Sequence, residues 1–187
     1  MFTIFAYILI NKNTEMTEQK TSMTQNAINY SLVTGVIIII FSLLLFILDV
    51  DMYANRSLGY VNYIILIVGI FLGSKAYRNN TLGGYATYGE VYGAGFLIVV
   101  FTAIVVTIYT YLYFTVINTD AISDILRVTE QAMYDKGLDG EQLDTALAVS
   151  KKFVNPIVLC LSTLFGFIIW GAIITVVISF FVKKEQN

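Results

Sequence analysis

Four long apolar runs alternate with polar segments along this chain, at about 27–48, 60–76, 88–115 and 156–182. Each is close to the roughly 20 apolar residues a helix needs to cross a bilayer, with some tilt for the longer ones. The third run is the most continuous: from Val91 to Thr115 no residue is charged. Its entry, Gly83 to Gly95, is crowded with glycine and tyrosine, and Tyr109, Tyr111 and Tyr113 form a belt at its far end. Tyrosine suits both membrane interfaces because it joins an apolar ring to a polar tip. The connections on either side of the second run are short, so neighbouring runs return antiparallel, and the other spans are expected to pack around the third. The run lengths mean helices rather than the roughly ten-residue alternating strands of a membrane barrel.

From Val116 to Asn155 acids and bases alternate instead. Ile122, Ile125, Leu126, Thr129 and Met133 share one helical face, and Leu143, Ala146, Leu147 and Ser150 share another. Gly137 suits a C-cap, and Asp139 suits an N-cap with Gln142 as its capping-box partner. The pattern predicts an extramembrane helical hairpin over 119–154. Its apolar stripes need a cover, which is each other, the membrane surface or a partner protein. Asn155-Pro156 then opens the last run, asparagine as cap and proline at the first helical position. The fold class is all-α: a polytopic membrane protein of four transmembrane helices with a soluble hairpin between the third and fourth.

Residues 1–26 read as a disordered or mis-started N-terminal extension. Met1–Ile10 is apolar but short and has no Lys or Arg before it, while Asn11–Asn26 is polar, with Met16 and Met23 as later starts. A short interfacial anchor is the other reading.

Composition supports the membrane class. Hydrophobic residues make up 57% and charged residues 13%, against roughly 45–50% and 25% in soluble domains. Mean hydropathy is +0.75. A net charge of −2 gives no sign of a nucleic-acid partner. The chain has no histidine, which removes histidine-ligated haem or zinc and histidine-based nucleophile triads. The single cysteine, Cys160, lies in an apolar run and reads as a packing residue. Asp49 and Asp51 end the first run in water, since two carboxylates without further oxygen ligands make a weak metal site. No catalytic, cofactor or metal residues are identified.

Three pairs of small residues four apart are candidate helix-packing positions: Gly69 and Gly73, Gly89 and Gly93, Ser162 and Gly166. In lipid such pairs let two backbones approach closely. By depth, Gly73 and Gly93 are expected to meet between the second and third spans. Glu90 is the candidate functional acid, at the lip of the third span. It reads either as an acid favoured by a helix N-terminus or as a partly buried group paired with Lys75 or Arg78 for ion or proton handling.

The segments "GGYATYGEVYGAGF", "MYDKGLDGEQLD" and "FVNP", with a terminal Lys-Lys, resemble the family of domain of unknown function 4199. The resemblance covers about Asn26 to Lys184. It implies four transmembrane helices and a bacterial inner membrane, since the family occurs mainly in Bacteroidota. It implies no activity and no functional residues.

The function expected first is a structural or interaction module, not an enzyme, that presents the hairpin to a protein partner. A small transporter or channel subunit is the alternative, and a membrane enzyme the third class. No span carries a charge at its centre, and no proline interrupts one. The lipid bilayer is the expected partner; a homo-oligomer is open. Lys75, Arg78, Lys183 and Lys184 favour cytoplasmic termini, and Lys151 and Lys152 pull the other way.

Overall fold

A computed structural model describes residues 22–50 and 56–185. The reading of 1–26 therefore falls mostly outside the described residues, as does Asp51. The elements are all helical: α1 Met23–Ile47, α2 Arg56–Ala76, α3 Tyr88–Leu112, α4 Ala121–Tyr134, α5 Gly140–Phe153 and α6 Pro156–Val182. Four of them are long and apolar enough to cross a bilayer.

Local chemistry sets the helix ends. The first helix starts at Met23, not Ala27, because the Ser22 side chain caps it by accepting from the Gln25 N–H at 3.2 Å. Its first turn belongs to the bundle: Asn26 is buried and its Nδ2 donates to the Gly73 carbonyl at 3.0 Å. The last turns after α2 and α3 widen to i→i+5 hydrogen bonding over Tyr77–Thr81 and Tyr113–Ile117. Asn155 caps α6 by accepting from Val158 N–H at 3.0 Å, with Pro156 following. Asp139 precedes α5, but its side chain makes no cap hydrogen bond, so the expected capping box with Gln142 does not form. Gly137 and Gly140 both hold positive φ, at 85° and 49°, which turns the chain between α4 and α5.

Helix α3 packs against α1, α2 and α6, and α2 also touches α1 and α6. The four spans thus form a rhombus with α2 and α3 on its short diagonal and α1 and α6 at opposite corners. In the third span 44% of the most apolar window is buried, against 28%, 28% and 33% in the others, which makes α3 the central helix.

The spans are apolar all round, so polarity cannot choose which face turns inward. Fit chooses instead, with Ile38, Leu66, Ile70 and Ile98 buried beside small polar residues. Buried positions include Ser31, Thr34, Ser74, Thr102, Thr175 and Ser179, whereas Phe180, Phe181 and Trp170 point outward. Small residues let backbones approach, and the large outward side chains are consistent with contact with lipid. Several buried hydroxyls bond to their own helix: Thr34 to Tyr30, Thr175 to Gly171 and Ser179 to Thr175, each at 2.7 Å.

The tightest approaches are at glycine. A Cβ on Gly95 would lie 2.7 Å from Thr175 Cγ2 and 2.9 Å from Ser74 Oγ, so α2, α3 and α6 converge there. On Gly171 it would lie 2.8 Å from Val99 Cγ2, and on Gly35 2.8 Å from Val105 Cγ1. Gly69 faces Thr34, and Gly73 faces Tyr30 and Ile98.

Candidate functional site

Two regions at opposite ends of the bundle bring polar groups together. The first surrounds Glu90. Here the α2–α3 connection is clasped to the C-terminal end of α6 by a pair of backbone hydrogen bonds. Ala86 N–H donates to the Lys184 carbonyl at 2.9 Å, and Lys184 N–H to the Ala86 carbonyl at 3.0 Å. Arg78 Nη1 donates to the Val182 carbonyl at 2.7 Å, satisfying an acceptor that the helix end leaves open. Lys184 sits over the Tyr85 ring at 5.1 Å.

Glu90 itself closes a capping box. Its Oε2 accepts from Thr87 N–H and Thr87 Oγ1–H, both at 2.8 Å, while Glu90 N–H donates to Thr87 Oγ1 at 3.4 Å. The carboxylate is thereby tied to the start of α3. The two candidate cations for Glu90 have other partners: Arg78 binds Val182 and Asn79, and Lys75 lies over the Phe71 ring at 5.8 Å.

The second region lies at the hairpin end. Ser42 of α1, Asn62 of α2, Tyr109 and Thr110 of α3 and Thr163 of α6 line a cavity of about 190 Å³. Counting rise per residue from the nearest helix ends, Asn62 and Thr163 lie about 10 Å in. Tyr109 donates its hydroxyl to Ser42 Oγ at 3.0 Å. Asn62 Oδ1 is buried and has no hydrogen-bond partner among the described residues. Ser74 Oγ, Thr102 Oγ1 and Thr107 Oγ1 share that state, but Ser74 sits at the close-packed Gly95 node, whereas Asn62 opens on a cavity. Through Thr163, Phe114 and Phe167 the cavity adjoins an apolar groove of about 430 Å³, lined also by Ser162, Gly166 and Ile125. Among the described residues, no charged side chain lines either space.

The six candidate packing residues divide accordingly. Gly69 and Gly73 lie against α1, and Gly73 also against Ile98 of α3. Gly93 does not meet Gly73: what a Cβ there would touch is Met23, at an ordinary 3.7 Å. Gly89 and Gly166 have no heavy atom within 4 Å of such a Cβ, and Ser162 is exposed, so none of these three is a close-packing position. The reason is rotational. The glycines of α3 that face its neighbours are set by Gly95, and Gly89 and Gly93 fall off that face.

Sequence reasoning did not take Gly35, Gly95 or Gly171 as packing positions, because the residues they meet stand on other helices. It also passed over Asn62, although an amide inside an apolar run was a readable signal. Cys160 is buried, its Sγ 3.9 Å from the Thr107 carbonyl.

The family described as protein of unknown function (DUF4199) matches residues 29–184. The chain belongs to that family. Its match takes in all of α2 to α6 and most of α1, so both polar regions lie within the family's extent. Among curated proteins and among solved structures, none matches the chain.

Proposed function

We propose that this DUF4199 protein is a non-enzymatic, multi-pass protein of a bacterial cytoplasmic membrane whose four-helix scaffold presents the α4–α5 hairpin outside the bilayer as an interaction module. The observation that carries the reading is the packing of the hairpin. Helices α4 and α5 pack on one another. The positions that become half-buried are the two apolar stripes, Ile122, Ile125, Leu126 and Met133 on α4 and Leu143 and Leu147 on α5. Two helices cannot cover both stripes: α5 buries no residue fully, and Phe153 and Tyr134 stay 62% and 63% exposed. Asp124, Arg127, Glu130 and Asp135 on the same unit favour water over hydrocarbon.

Orientation follows the cations. Lys75, Arg78 and Lys184 gather at the clasped end, which supports cytoplasmic termini and a periplasmic hairpin. Labelling of Ser123→Cys by an impermeant reagent in intact cells is the expected result; labelling only after lysis reverses the orientation.

The partner is tested by site-specific photocrosslinking at Val149 and Phe153 in cells. Protein adducts at both positions are expected, and an adduct of twice the chain's mass identifies a second copy as the partner. Adducts to lipid alone at both positions would remove the module reading. The cavity between the four spans favours a second reading, a small transporter or channel subunit, for which flux in proteoliposomes is the measurement.

A further inference from the structure

We infer that the hairpin half of the bundle binds a single-chain lipid with an uncharged, hydroxyl-bearing headgroup, of which a monoacylglycerol is the simplest form. The headgroup sits at Asn62 and the chain runs along the groove over Ser162 and Gly166. This site uses Ile125 of the hairpin but not Val149 or Phe153, the exposed positions at which a protein partner is tested.

The polar half of the ligand follows from the cavity. Asn62 Oδ1 is a buried acceptor with no donor among the described residues, and a buried acceptor calls for one. Ser42 Oγ accepts from Tyr109 and so keeps its own proton to give away. A donor and an acceptor lining the same cavity match a hydroxyl, which does both. With no charged side chain lining the space among the described residues, a phosphate or ammonium headgroup would be buried without a counter-charge, which is costly. The volume of about 190 Å³ corresponds to about six water molecules at ~30 Å³ each, room for a glycerol-sized group.

The apolar half follows from the groove. It continues from the cavity past Thr163, Phe114 and Phe167, so a molecule polar at one end and apolar at the other fits both without a gap. One groove accepts one chain. Gly166 explains its shape: nothing stands within 4 Å of where a Cβ would be, so the absent side chain leaves a trough on α6 rather than a helix contact. Ile125 of α4 also lines the groove, so the chain of the lipid touches the hairpin.

The full-length protein in phospholipid nanodiscs is exposed to a monoacylglycerol carrying a photoreactive diazirine on its chain. Two further probes share that chain: a hydrocarbon without hydroxyls, and a lysophospholipid with a charged headgroup. Adducts are located by mass spectrometry. Saturable monoacylglycerol adducts are expected on α6 around Ser162–Gly166 and on α4 around Ile125, competed away by unlabelled monoacylglycerol. Asn62→Leu, close in shape to asparagine, should weaken this labelling about tenfold and leave the hydrocarbon probe unchanged. Gly166→Phe should fill the trough and abolish saturable labelling, while Gly89→Phe, at an equally open glycine near the clasped end, should not. Labelling that is unsaturable, or that Asn62→Leu does not touch, overturns the inference and leaves a cavity holding water only. Equal or stronger saturable labelling by the lysophospholipid overturns the uncharged headgroup.

Discussion

At the clasped end, α6 finishes against the α2–α3 connection through two backbone hydrogen bonds, Arg78 closes a carbonyl that the helix leaves open, and Thr87 and Glu90 cap α3 together. At the hairpin end the same four spans enclose a cavity, a buried amide oxygen has no partner among the described residues, and the span glycines there, Gly59 and Gly166, meet nothing. The close-approach glycines, Gly35, Gly69, Gly73, Gly95 and Gly171, all lie at mid-span or toward the clasp. The difference is instructive because both ends draw on the same residue types. Glycine and small polar side chains make a tight joint where a neighbouring helix fills the space beside them. They leave open space where none does. Places where local rules of satisfaction are left unmet tend to be the functional ones.

Six substitutions break or sharpen this contrast, and each is read by thermal or chemical unfolding in detergent. The largest effect is expected for Gly95→Ile, whose side chain would enter the Thr175–Ser74 node; overpacking of that kind should cost about 3 kcal/mol. Gly93→Ile, one turn-fraction away and facing only Met23, should melt near the wild type. If the two behave alike, Gly95 is not the joint. Arg78→Ala comes next. It strips a charge-assisted bond from a half-buried carbonyl and should cost about 1–2 kcal/mol after allowance for solvent. Faster hydrogen exchange at the Ala86 and Lys184 amides should accompany it, and unchanged exchange there would mean that the clasp holds without the arginine.

Asn62→Leu should move stability the other way. Replacing a half-buried amide whose buried oxygen lacks a partner with an apolar group of similar shape is expected to be neutral or to stabilise by about 1 kcal/mol. A large loss would show that Asn62 holds the fold rather than the cavity. The smallest effect is expected for Glu90→Gln. Glutamine serves the same position of a capping box, so the change should stay within about 0.5 kcal/mol, whereas Thr87→Ala should cost about 1 kcal/mol. Intact stability with loss of a proton-coupled activity in Glu90→Gln would restore the functional reading of this acid.

How much could be read in advance differs between levels. The spans were legible because hydrocarbon demands long apolar helices, and the ends observed at Pro156 and Val182 are those the pattern marks. The Asn155 cap was legible because it is local. The Asp139 capping box was equally local in pattern and did not form. Glu90 was visible as an acid at a helix start, but the partner that fixes it, Thr87, was overlooked although it stands three residues before. Pairing small residues by sequence spacing misassigned Gly89, Gly93 and Gly166, because spacing tells which residues share a helix face and not what that face meets.

By itself, then, the sequence determined what each stretch must be: four apolar helices, a charged amphipathic pair between the last two, and no histidine chemistry. These follow from solvent preference and helical period, which act within a few turns of chain. Only the tertiary structure decided which faces meet. Helices that are apolar all round carry no polarity to orient them, so rotation about each axis is settled by fit. That fit put Gly95 against Ser74 and Thr175, and it left Asn62, in the sequence no more than a polar interruption of an apolar run, facing a cavity that four separate helices build.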